Sequence, residues 1–142
     1  MGNDLVVSLA RSWIGTPYLH QASERGAGTD CLGLLRGIWR DMIGAEPVTV
    51  PPYSSDWSEV SGQETLHSEA RNWLVAVSPG AQTTGDVLLF RMRHGAVAKH
   101  LGIAGDMGAA PTFIHAYTGH GVIESPLSAP WARRIVGRFR FP

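Results

Sequence analysis

Apolar positions recur at helical spacing in the first half of the chain and at strand spacing in the second. Leu5, Val6, Leu9, Trp13 and Ile14 predict a first helix over 4–14, which the Gly15-Thr16-Pro17 turn ends. Tyr18 to Ser23 reads as extended and leads into a glycine loop, Gly26-Ala27-Gly28. Leu32, Leu35, Ile38, Trp39 and Met42 then predict a second helix, starting at an Asp30 N-cap and running to Ile43-Gly44. Gly33 and Gly37 lie one turn apart on it and weaken it, which is explained if that face presses on another backbone, a sheet being expected. Residues 45–61, with Pro47, Pro51, Pro52 and Trp57, predict a surface loop at the edge of a site. Leu66, Ala70, Trp73, Leu74 and Val77 predict a third helix over 63–77, stopped by Ser78-Pro79-Gly80.

Strand patterns follow at 87–90, 99–104, 112–117, 121–124 and 134–141. Helices first and a meander of strands afterwards predict an α+β fold with an antiparallel sheet. With 142 residues and no repeats or linkers, one domain over 1–142 is expected.

Twelve basic residues balance twelve acidic ones, so no overall field draws the chain to nucleic acid or a membrane surface. The N-terminus has no basic segment followed by an apolar run, which predicts neither a signal peptide nor a membrane span. The single cysteine, Cys31, excludes an internal disulfide. It falls in the first turn of the second helix, where free backbone N–H groups and the helix dipole favour an anion. A lowered thiol pKa, and hence a nucleophile, is expected there; the alternative is a small buried hydrophobe.

A nucleophilic thiol needs a base, and the base needs a partner to hold its ring. Of six histidines, His67 reads as a surface helix residue, and His94 and His120 fall in glycine-bounded turns. His100 and His115 sit on consecutive strands. Pairing Ala104 with Pro111 puts them directly opposite, and a two-residue slip leaves them diagonal on one face, with Cβ atoms roughly 5–8 Å apart either way. Gly102 is expected to leave open space beside His100, while Phe113 and Tyr117 shield His115. His100 is therefore the expected base and His115 its orienter. Two unrelated sheet histidines are the alternative, and a zinc site of Cys31, His100, His115 and His120 is another.

Gly15-Thr-Pro-Tyr18, Asp30-Cys-Leu-Gly-Leu34, Gly85-Asp-Val-Leu-Leu-Phe90, His100-Leu-Gly-Ile103 and Ile114-His-Ala116 together resemble the NlpC-type bacterial cell-wall cysteine peptidases in order and spacing. Tyr18 to Ser23 and Val50-Pro-Pro-Tyr53 are similar to the small branch carried by tailed phages and gene transfer agents. The resemblance implies a reduced papain-like fold without a cofactor, with Cys31 as nucleophile, His100 as general base and acid, and His115 orienting it. It also implies that Tyr18 helps hold the oxyanion and that Asp30 lies where a free substrate amine binds. His20 flanks the subsites. Leu32 in place of a more common serine, and His20-Gln21 in place of aromatic-Gly-Gly, bear on specificity.

The implied substrate is the D-γ-glutamyl–diaminopimelate bond of peptidoglycan stem peptides. The implied setting is a particle tail that delivers a cytoplasmically made enzyme to the target's periplasm, held by a tail hub or tail-tip protein. The alternative is a silent tail plug on the same fold, docking through Trp57 or the basic strand from Arg133 to Arg140.

Overall fold

The computed structural model describes residues 2–47, 65–78, 80–92 and 98–142. Trp57, His94 and most of the Pro-rich stretch, including Val50–Tyr53, lie outside these, as does the side chain of His67.

Helix α1 (Gly2–Ser12) buries Val6, Val7 and Ala10 with Trp13 just beyond it, while Leu5 and Ile14 stay 48% and 46% exposed. The buried stripe is thus rotated from the expected one. Ala10 sits at its centre because a small side chain lets the helix approach its neighbours, and Ile14 falls past the helix end. The next turn is tied to the sheet: Gly15 N–H donates to Val122 O at 3.0 Å, and Val122 N–H to Thr16 O at 2.9 Å.

A small ribbon, β1 (Ser23–Glu24) with β2 (Gly28–Thr29), precedes α2 (Cys31–Met42). Gly33 and Gly37 mark close approaches, as expected, but not to the main sheet. A Cβ at 33 would overlap the Ala22 carbonyl oxygen, and one at 37 would overlap the Trp13 indole. The glycines let the pre-helix loop and α1 lie flat on α2.

Helix α3 (Thr65–Trp73) is shorter than expected. Residues after Leu74 form β3 (Val75–Ala76), pairing with Phe139 and Arg140. The cause is an open sheet edge: its backbone groups need partners, and Val77 N–H continues the pairing to Arg138 O at 3.0 Å.

The remaining elements are β4 (Val87–Arg91), β5 (Ala98–Ala104), β6 (Thr112–Tyr117), β7 (Gly121–Pro126), a four-residue α4 (Ala129–Ala132) and β8 (Ile135–Arg140). They complete an antiparallel sheet in the order β3-β8-β4-β5-β6-β7. The last strand is therefore interior. Arg140 on it bonds the Asp86 carboxylate and the Ala81 carbonyl, and Arg134, just before it, lies over the Trp131 ring.

Both faces of the sheet are covered, which is why Val87-Leu-Leu-Phe90 is apolar throughout rather than alternating. Leu34 and Ile38 of α2 pack with Val6, Leu101, Ile103 and Ile114 on one face. Leu88, Phe90, Ala104, Phe113 and Leu127 fill the other, capped by Trp131 of α4. Each fully buried side chain of this kind stabilises by about 1.5–3 kcal/mol. The helical core fixes α2 against β5, and so fixes the position of Cys31. No helix among the described residues is long and apolar enough to cross a membrane.

Candidate active site

Asp30 caps α2 from an extended conformation. Its Oδ1 accepts the Gly33 N–H and its Oδ2 the Gln21 N–H, each at 2.7 Å. The second bond holds Gln21 at φ +67, left-handed for a residue with a side chain, a conformation costing about 1 kcal/mol or more. His20 Nδ1 stands 3.9 Å from the same Oδ2. His20 and Asp30 thus meet beside Cys31, with Asp30 committed to clasping the loop to the helix.

The Cys31 thiol reaches β5 from the helical side. Its Sγ lies 3.8 Å from the Lys99 carbonyl and also faces the Leu101 N–H, so it abuts backbone on both sides of His100. The expected fall in thiol pKa does not occur. Burial of the sulfur, and next the adjacent Asp30 carboxylate, push it up to about 12, against the pull of nearby backbone N–H groups. The capping carboxylate offsets the helix end it caps. Tyr18 packs beside Cys31; burial first, and then the Cys31 charge, raise its phenol despite a hydrogen bond with Thr118.

The β5–β6 ladder pairs Ile103 with Ile114 and Ala104 with Phe113, two residues away from pairing Ala104 with Pro111. His100 and His115 are therefore diagonal rather than opposite. Their rings meet among Phe90, Phe113 and Trp131, where His100 Nε2 is 2.8 Å from His115 Nδ1. His115 is fully buried, stacked on Phe113 at 4.1 Å, and His100 is 7% exposed. Gly102 does not leave open space: a Cβ there would meet Phe113 at 2.8 Å. The glycine instead admits the aromatic packing that encloses the pair. Burial pushes His100 down to about 3, aided by His115, and His115 down to about 4, aided by His120.

His115 Nε2 lies 3.0 Å from Ser125 Oγ, so three polar side chains run in sequence from β5 through β6 to β7. His120 stacks on Tyr117 instead of joining the pair. The facing ring nitrogens are spent on each other and on Ser125, and no metal-holding group of three such residues occurs among the described residues. A neutral thiol, a neutral imidazole relay and a phenol in one region are equipped for acyl transfer.

Ser125 and Trp131 are absent from the sequence expectations. The strand expected over 121–124 stops one residue short of Ser125, though alternation from Gly121 through Ile123 puts it on the His115 face. Ser128-Ala-Pro-Trp131 carries a helix-start pattern, with Ser128 at the N-cap and Pro130 in the first turn. That short helix sets the Trp131 ring 5.8 Å from His100 and 5.3 Å from His115.

An antiparallel sheet bearing linked histidines, with a cysteine helix laid across it, defines a papain-like α+β class. Within that class the chain belongs to the NlpC/P60 family, whose model matches residues 15–140. It is 29% identical over 133 residues to the murein DD-endopeptidase MepS/murein LD-carboxypeptidase of Escherichia coli K12, a match covering 89% of this chain and 59% of that protein. An NlpC/P60 family protein from Bacillus cereus ATCC 10987 superposes with a TM-score of 0.70 at 22% identity, over 98% of this chain and 40% of that one. The NlpC/p60 domain of the peptidoglycan hydrolase SagA superposes at 0.66 with 21% identity, over 99% of this chain and all of that domain.

Proposed function

We propose that the chain is a cysteine endopeptidase of bacterial peptidoglycan that cuts the D-γ-glutamyl–diaminopimelate bond of stem peptides. The observation that carries this reading is the His100–His115 hydrogen bond on the strand whose backbone Cys31 abuts on both sides of His100. Because His100 Nε2 is engaged by His115, its Nδ1 is the nitrogen left to take a proton. Thiol and imidazole both rest neutral, so the Cys31 proton passes to His100 as Sγ bonds the substrate carbonyl carbon. In this reading the Cys31 N–H at the helix start and the Tyr18 hydroxyl hold the oxyanion, an effect typically worth about 3–4 kcal/mol. Collapse of the intermediate breaks the C–N bond, and His100 returns the proton to the leaving amine. Water then attacks the thioester carbonyl and gives a proton to His100, which passes it to the departing sulfur, releasing the acid and restoring the thiol. His20, exposed beside Asp30, is proposed to contact the substrate on the acyl side, while Asp30, buried and spent on the Gly33 and Gln21 N–H groups, acts by holding the His20 loop rather than by binding the substrate amine directly.

The E. coli relative favours a second reading, in which the bond cut is the D,D or L,D bond its name specifies. The chain spans only 59% of that protein, which leaves the bond to experiment. We further propose, from the Tyr18–Ser23 and Val50–Tyr53 stretches, that the enzyme rides on a phage or gene-transfer-agent tail, bound to a hub or tip protein, and acts in the target's periplasm. Mass spectrometry of purified particles tests that placement. A silent tail plug is the non-enzymatic alternative.

Digestion of diaminopimelate-type peptidoglycan by wild type and Cys31→Ala, with products read by mass spectrometry, decides among these. Fragments split between D-glutamate and diaminopimelate, from wild type alone, are the expected result. D,D or L,D products from wild type alone replace the bond assignment. No products from folded wild type favour the plug.

A further inference from the structure

Ser125 pairs with Phe113 across β6 and β7 and is diagonal to His115, with its Oγ 3.0 Å from His115 Nε2. Two hydrogen bonds in series, Ser125 to His115 and His115 to His100, admit only two arrangements of protons on neutral rings. In the first, His115 Nε2–H donates to Ser125, His115 Nδ1 accepts from His100 Nε2–H, and His100 Nδ1 is left bare. In the second, Ser125 donates to His115 Nε2, His115 Nδ1–H donates to His100 Nε2, and His100 carries its proton on Nδ1. Only the first leaves His100 able to take a proton from the thiol.

The surroundings select the first. Ser125 is part-exposed, so its own O–H can point to water while its oxygen accepts. His115 is fully enclosed, with the Phe113 ring on its face and Trp131 at its side. Without the serine oxygen, a proton on His115 Nε2 would be buried with no acceptor there. The ring would instead place its single proton on Nδ1, where His100 can accept it.

We propose that Ser125 is a positioning residue: by accepting the His115 Nε2 proton it sets the tautomers of both histidines and keeps His100 Nδ1 free as the base. The catalytic consequence rests on the reading of His100 as general base; the tautomer assignment does not.

The test is ring-15N NMR of the histidines in the substrate-free protein at pH 7, for wild type, Ser125→Ala and Ser125→Thr, together with stem-peptide kinetics. Wild type and Ser125→Thr are expected to hold His100 and His115 as Nε2–H tautomers. Ser125→Ala is expected to shift both to Nδ1–H and to lower kcat about 10- to 100-fold with KM little changed. Nδ1–H tautomers in wild type, or Nε2–H tautomers retained in Ser125→Ala, overturn the proposal. If Ser125→Ala does not fold, the wild-type spectrum alone still decides the tautomer. Correct tautomers in a wild type that cleaves no peptidoglycan would overturn the peptidase reading and leave the tautomer assignment standing.

Discussion

His100 and His115 share one hydrogen bond, Nε2 to Nδ1 at 2.8 Å, and the group behind His115 is the Ser125 hydroxyl rather than a carboxylate. A positive charge formed on His100 therefore leans on a neutral lone pair. What His115 supplies is an acceptor in the right place. His115→Asn, whose side-chain oxygen can accept from His100, should retain more activity than His115→Ala. The alanine variant should lose about 10²- to 10⁴-fold in kcat on stem peptides, the range for acid–base machinery. Equal losses in both variants would remove the acceptor role.

Both rings are buried neutral, at about 3 for His100 and about 4 for His115, each driven first by burial. An unfolded histidine titrates near 6.5. Below that pH the unfolded chain binds more protons than the folded one, so this stability is complete above about pH 6.5. It falls with acidification by up to about 1.4 kcal/mol per pH unit for each ring. Carboxylates such as Glu124, held low by Arg11, lose their contribution only nearer the unfolded Glu value of about 4.3. The window from pH 5 to 6.5 thus isolates the histidines. Denaturant midpoints should fall across it in wild type and fall less in His115→Asn; a flat wild-type profile would contradict the buried neutral pair.

The Cys31 thiol, raised to about 12, should react slowly with iodoacetamide at pH 7 and speed up only in alkaline buffer. Unfolding in denaturant should restore the reactivity of an ordinary thiol. Linkage has the opposite sign from the histidines: the folded state holds the thiol proton more tightly. Its stabilising contribution is complete below the unfolded value near 8.5 and is lost as pH climbs toward 12. Fast alkylation of the folded protein at neutral pH would place a thiolate there and restore the expectation from the helix end.

The sequence carried the position of Cys31 on its helix because Asp30, the glycines and the apolar stripe are local signals. It also carried the pairing of His100 with His115, since alternation puts both on one face under either register. Register itself was not legible. The link between β5 and β6 admitted more than one pairing, and the ladder settled two residues away. The thiol's protonation was misread because a helix end was weighed without the charge of its own cap. Gly102 was misread because the space it leaves is filled by Phe113, across the strand pair. Strand β3 was invisible because Val75 and Ala76 are extended only by pairing with β8, which lies far along the chain.

Gly33 gives the last prediction, because two effects of opposite sign compete there. Alanine in place of a mid-helix glycine ordinarily gains about 1 kcal/mol of helix propensity. At 33, however, the added Cβ would overlap the Ala22 carbonyl oxygen and lie 2.5 Å from Thr29 Oγ1. Neither can yield freely. Ala22 O accepts the Asp30 N–H at 3.3 Å, and Ala22 adjoins Gln21, whose N–H is held by Asp30 Oδ2 at 2.7 Å. The loop must move off α2, which overpacking data put at about 1–3 kcal/mol, and the strained Gln21 bond would move with it. Gly33→Ala should therefore be destabilised in denaturant titrations and should impair activity beyond its loss of stability, since Tyr18 and His20 ride on the same loop. Gly108→Ala, where a Cβ meets nothing within 4 Å, is the control and should stay within about 0.5 kcal/mol of wild type. A Gly33→Ala variant as stable and active as that control would show that the loop does not need its close seat on α2.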